Sequence, residues 1–200
     1  MKSSPQVRTA TQGLLVFVVA LLAPAWAHAH VGVGQTSSLA DGLLHPITGL
    51  DHVAVMLAVG LWAAMRGGRA LWAVPASFVF VMALGGLLGM WGISIPFVES
   101  GIITSVLVLG VLVAAAVRLP LLASSLLVAL FALFHGHAHG AEMPETAFGL
   151  AYGLGVLAGT GLLHGCGIGL GLCAQRLGQP GLIRYAGAAT VALGIVLAIA

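Results

Sequence analysis

The chain has 200 residues, of which 60% are hydrophobic and only 6% charged, with a formal net charge of +2. Soluble domains carry about a quarter charged residues, so this composition excludes an ordinary soluble fold and reads as a polytopic membrane protein. The few basic residues form no patch, which excludes nucleic acid as a partner.

The N-terminus has the pattern of a secretory signal. Lys2 and Arg8 form a basic start, Gly13 to Ala25 an apolar stretch too short for a comfortable span, and Ala25-Trp26-Ala27 and Ala27-His28-Ala29 offer small-x-small cleavage sites. An uncleaved anchor is the other reading of the same residues. The expected organisation is a signal peptide over 1–27 and one transmembrane domain over 28–200. Cleavage after Ala27 would expose His28-Ala29-His30, whose amine, amides and imidazole suit square-planar nickel(II) or copper(II).

The fold class expected is all-α: a bundle of six transmembrane helices over about 43–65, 71–92, 98–117, 121–139, 146–170 and 182–199, each near the ~20 residues a bilayer needs. The arginines orient it. With the mature N-terminus outside, Arg66, Arg69, Arg118, Arg176 and Arg184 all fall in or beside cytoplasmic loops, while Asp41, Glu99, Glu142 and Glu145 lie outside. Both termini then lie on the side away from the cytoplasm.

The first span carries the least ordinary stretch, His45-Pro46-Ile47-Thr48-Gly49-Leu50-Asp51-His52. A charge near mid-bilayer costs about 2.5–3.5 kcal/mol on insertion scales. Seven residues are nearly two helical turns, so His45 and His52 would share a face of a continuous helix, with Asp51 about 100° round. Pro46 suits a first turn, and Gly49 permits close approach or a local break. The plain reading is a capping histidine and two interhelical polar contacts. The sharper reading is a divalent-metal site, because carboxylate oxygen and imidazole nitrogen suit borderline cations.

Glu99 opens the third span, where a helix dipole alone would account for it. At the end of the fourth, His135, His139 and Glu142 fall at i, i+4 and i+7, while His137 would point elsewhere. Gly136 and Gly140 make a regular helix doubtful there, which leaves a flexible outer cluster or a polar loop as readings. His164 lies deeper, on the fifth span, as ligand or as packed core. Cys166 and Cys173, too far apart on one helix for a disulfide, read as buried small residues or soft ligands. Four-residue glycine spacings, such as Gly155/Gly159 and Gly85/Gly89, suit close helix packing, with a narrow pore wall or a bending helix as the other readings; a homo-oligomer is a separate partner expectation.

The stretch from His45 to Gly60 closely resembles the signature of the HupE/UreJ family, as does Phe134-His135-Gly136-His137-Ala138-His139-Gly140-Ala141-Glu142. The resemblance implies an inner-membrane nickel permease linked to hydrogenase or urease maturation, not an enzyme. Its substrate would be nickel(II) or cobalt, bound in transit, and its partners the lipid bilayer and maturation proteins. It places the family's residues on Asp51, Glu99, His139 and Glu142, with His45 and His52 in the signature and Phe78 in the second span. The alternative is a bis-histidine haem protein for electron transfer, which gives Asp51 and Glu142 no role. A metallohydrolase is disfavoured by the lack of an H-E-x-x-H motif.

Overall fold

A computed structural model describes residues 38–143 and 149–200. All its regular secondary structure is helical: α1 (Ser38–Thr48), α2 (Leu50–Arg66), α3 (Ala70–Met90), α4 (Val98–Ala114), α5 (Leu121–Ala141), α6 (Gly149–Arg176) and α7 (Pro180–Ile199). The expected signal peptide, His28, His30 and Glu145 lie outside the described residues.

Helix α2 is the axis of the bundle. Every residue from His52 to Ala64 is buried, whatever direction it faces. A helix apolar all round is stable only when other helices surround it. The outer helices instead bury one stripe, such as Val74, Phe78, Met82, Gly85 and Gly89 on α3, and leave Trp72 and Phe80 exposed to lipid. Helices α3, α5, α6 and α7 are each long and apolar enough to cross a membrane. The pair α1–α2 qualifies only when its two halves are taken together, and α4 has 17 residues. Helix α4, over the expected third span, ends at Ala114, earlier than expected, where Ala116 turns to a φ of 53°.

Glycine sets the closest helix contacts. A Cβ on Gly136 would meet the Met82 carbonyl oxygen and lie 2.9 Å from the Gly86 nitrogen, so α3 and α5 touch backbone to backbone. Gly155 stands equally close to Leu39 of α1, and Gly60 of α2 to His164 of α6. Gly136→Ala is therefore expected to force α3 from α5, at a cost of about 1–3 kcal/mol. A lowered Tm in detergent checks this.

The first span corrects the sequence reading. It is not one helix: α1 and α2 meet at an angle of 88°. Pro46 lies near the end of α1, not in a first turn. Its ring and missing N–H weaken the helix there, and Gly49 takes an extended conformation (φ −98°, ψ 120°) before α2 begins. Thr48 Oγ1 donates to the His45 carbonyl at 2.7 Å, satisfying a group the break sets free.

Candidate metal centre

The break at Gly49 determines where the signature side chains go. His45 ends α1 and His52 begins α2, so they do not share a helical stripe. Both still turn toward one place, the C-terminal half of α5. A Cβ on Gly49 would lie 2.7 Å from Asp51 Oδ1 and 3.0 Å from His52 Nδ1, so glycine leaves the room that pair needs. Asp51 Oδ1 accepts two hydrogen bonds from His52, from the backbone N–H and from Nδ1–H, each at 2.8 Å. A carboxylate only accepts, so Nδ1 carries the hydrogen and Nε2 presents its lone pair. That nitrogen is buried and has no hydrogen-bond partner among the described residues.

Helix α5 runs unbroken through Gly136 and Gly140, against the expectation of an irregular end. Those glycines are what let it lie against α3. His135 and His139 project one turn apart and are 0% and 3% exposed, so they belong to the interior and not to a flexible outer mouth. The His139 ring stands between two others: 5.0 Å from His45 and 4.4 Å from His52, centroid to centroid. Neither His139 nitrogen has a hydrogen-bond partner among the described residues.

Glu142 caps α5, and its Oε2 lies 3.1 Å from His45 Nε2. One ligand atom each from His45, His139 and Glu142 lie within 4.8 Å of one another. Glu142 is exposed, His45 half-buried and His139 buried, so the group grades from the surface inward. The hydrogen bond from His45 holds the Glu142 carboxyl below its ordinary value. It therefore stays ionised at lower pH than a free glutamate, and the charge it offers a cation is lost only as pH falls through that lowered value.

Further in, His52 and His135 stand 4.6 Å apart at 86°. His135 Nε2 is 2.8 Å from Ser105 Oγ on α4. Beyond it the buried Phe78 ring lies 5.9 Å from His135 and 5.1 Å from His164. Both nitrogens of His164 are buried without a hydrogen-bond partner among the described residues. From the exposed Glu142 into the interior, neighbour by neighbour, the order is Glu142, His45, His139, His52, His135, Phe78 and His164.

Two predicted ligands, Glu99 and His137, stand apart from this row, as do the two cysteines. Glu99 is exposed in the first turn of α4. His137 faces away and bonds the Ile93 carbonyl through Nε2 at 2.8 Å, fastening the loop before α4. Cys166 and Cys173 are free and exposed on α6, which overturns the expectation that they are buried. Sequence reading missed Ser105, and it missed Tyr152, whose buried ring lies 5.7 Å from that of His45 and lines the outer group.

Imidazole and carboxylate are the donors a borderline divalent ion takes. Here they form an incomplete series and not one closed cage. A closed cage retains its ion, whereas incomplete sites in sequence let it leave.

A sequence model of a protein family, described as HupE / UreJ protein, matches residues 17–197. Protein HupE of Rhizobium leguminosarum bv. viciae is 46% identical over 182 residues, covering 90% of this chain and 94% of its own length. No solved structure matches the chain.

Proposed function

The chain belongs to the HupE/UreJ family, and from that premise we propose that it imports nickel(II) through the bacterial inner membrane for hydrogenase or urease maturation. The observation that carries the reading is the convergence of His45, His139 and Glu142 from two helices, with their ligand atoms within 4.8 Å of one another. Glu99, exposed at the start of α4, adds negative charge outside.

The first step is exchange. An arriving ion takes Glu142 Oε2 and His45 Nε2 from each other: the Nε2 hydrogen passes to water while Nδ1 takes one up, so that the ring changes tautomer, and the freed Nε2 lone pair and the carboxylate oxygen each bond the ion. The carboxylate offsets part of the ion's charge as its water is shed. His139 then offers a nitrogen from the buried side and passes the ion toward His52, whose lone pair Asp51 aims into the interior. Two charges moving inward gain about 4.6 kcal/mol per 100 mV of potential. No phosphate-binding loop is present in the sequence, so the drive comes from the ion gradient, the membrane potential or a partner, and the potential is large enough to suffice.

We read the bent α1–α2 pair as the first of six crossings, with both termini periplasmic. Three tethers bring arginine-bearing ends of helices together: Trp62 Nε1 donates to the Val117 carbonyl, Gln175 Nε2 to that of Ala64, and Arg184 Nε to that of Ala114. Arg66, Arg118, Arg176 and Arg184 thus share the end opposite Glu142, as cytoplasmic arginines do. The haem alternative has no support among the described residues. Two axial imidazoles bind opposite faces of a porphyrin, whereas these rings stand in contact at 4.4–5.0 Å.

Proteoliposomes test the proposal. Radioactive nickel is expected to accumulate without ATP, and faster with an inside-negative potential. Correctly inserted protein that admits no nickel under either condition would end it. Glu142→Gln keeps the size of the side chain and removes its charge. It is expected to raise the half-saturating nickel concentration by about tenfold, equivalent to ~1.4 kcal/mol. Uptake at graded nickel concentrations checks it.

A further inference from the structure

Two buried atoms inward of the outer group, His52 Nε2 and His135 Nδ1, have no hydrogen-bond partner among the described residues. Asp51 Oδ1 and Ser105 Oγ hold their rings from the other side. We propose that His52 and His135 form a second, two-imidazole station for the divalent ion, inward of His45, His139 and Glu142, and that Ser105 is the residue that positions His135. This rests on reading the chain as an importer of such an ion.

The hydrogen positions follow from the partners. Ser105 Oγ lies 2.6 Å from the Ile102 carbonyl oxygen, which has no hydrogen to give. The hydroxyl hydrogen must therefore point at Ile102. The same Ser105 oxygen lies 2.8 Å from His135 Nε2, and with its hydrogen committed it can only accept there. His135 Nε2 thus carries the ring hydrogen, and Nδ1 carries the lone pair. Asp51 fixes the opposite tautomer in His52, with hydrogen on Nδ1 and the lone pair on Nε2.

The outcome is two bare imidazole lone pairs in adjacent buried rings. His52 Nε2 and His135 Nδ1 both lack a hydrogen-bond donor among the described residues. Two acceptors cannot satisfy each other. Two imidazoles whose metal–nitrogen bonds meet at a right angle hold their centroids about 4.5 Å apart, given bonds of about 2.1 Å. The centroids of this pair are 4.6 Å apart. Oxygen acceptors behind ligating histidines fix ring orientation and raise basicity in the same way at known metal sites.

Three helices converge to make the station: α2 brings His52 with Asp51, α5 brings His135, and α4 brings Ser105. Two nitrogen ligands favour borderline ions over calcium or magnesium, which take oxygen. Two ligands also hold the ion loosely enough to release it. His139 is close enough to His52 to deliver it, and His164 beyond the Phe78 ring is the next imidazole inward.

The test uses the full chain in detergent with nickel alone. A variant carrying His45→Ala and Glu142→Ala lacks the outer group. It is expected to bind one nickel per chain by equilibrium dialysis, with an imidazole pair visible by X-ray absorption. Adding Ser105→Ala is expected to weaken that binding by about tenfold or more, and Ser105→Thr to restore it. In the ion-free wild type, 15N shifts of His135 are expected to show hydrogen on Nε2, and in Ser105→Ala a mixture of tautomers. A merely structural serine would move the Tm and not the tautomer.

The station is overturned if wild type binds and imports nickel while the outer-site variant binds none, or binds it regardless of residue 105. Either result leaves the importer standing. Wild type that neither binds nor imports nickel removes both.

Discussion

Asp51→Asn is expected to reduce nickel uptake by about a hundredfold while the protein still inserts. The two side chains have nearly the same shape, so the bend at Gly49 and the packing of α2 are retained. What changes is the field and the tautomer. Asp51 carries the half-buried negative charge nearest the imidazole row, bonded to His52 at 2.8 Å. A divalent ion leaving water needs that charge, because Coulomb attraction grows as the surroundings become less polar. An asparagine amide supplies no charge. Its NH2 group, turned toward Nδ1, would also place the ring hydrogen on Nε2 and block the lone pair meant for the ion. Loss of a carboxylate behind a ligating histidine costs about 10–100-fold in metal affinity, and the missing charge adds to it. Insertion is not impaired, since removing a charge from a span lowers its transfer cost by about 2.5–3.5 kcal/mol. Initial uptake rates, normalised to protein recovered in membranes, check the prediction. Unchanged rates would take Asp51 out of the path.

The residues of the row were legible because ionisable side chains are rare in hydrocarbon. His45, Asp51, His52, His139 and Glu142 stood out for that reason alone, and the structure brings them together. Their depths were less legible. In a soluble helix the apolar face marks the core, but here lipid accepts apolar residues on every side. The sequence thus had no stripe to show that α2 is wrapped completely while α3 is not. His135 looked like an outer residue for the same reason. Cys166 and Cys173 looked buried, because lipid exposure and core burial select the same small apolar side chains. The break at Gly49 was signalled by Pro46 and Gly49 together, yet such pairs also occur in helices that only kink, so an angle of 88° could not be read from them. Ser105 gave no signal. Serine commonly bonds back to its own helix, and only the placement of α5 shows that its second bond holds a histidine.

His139→Ala is expected to lower uptake at least as far as Asp51→Asn, and with little loss of stability. Its ring is the only one within 5.0 Å of both His45 and His52 among the described residues. Without it the outer pair, His45 and Glu142, keeps its own contact, but no ligand remains between that pair and His52. The ion would have to cross that gap without a protein ligand. Stability responds differently because neither ring nitrogen of His139 holds a hydrogen bond. Its removal leaves a cavity and no broken partner, and the apolar cleft beside it, lined by Met82, Met90 and Tyr152, gives neighbouring side chains room to relax. His137→Ala is the matched control, two residues along the same helix. It loses a bond to the Ile93 carbonyl that fastens an outer loop, so it is expected to lower Tm slightly and leave uptake within about twofold of wild type. Nickel uptake and Tm measured on both variants separate the two roles. Equal uptake in the pair would mean that the ion does not pass between His45 and His52.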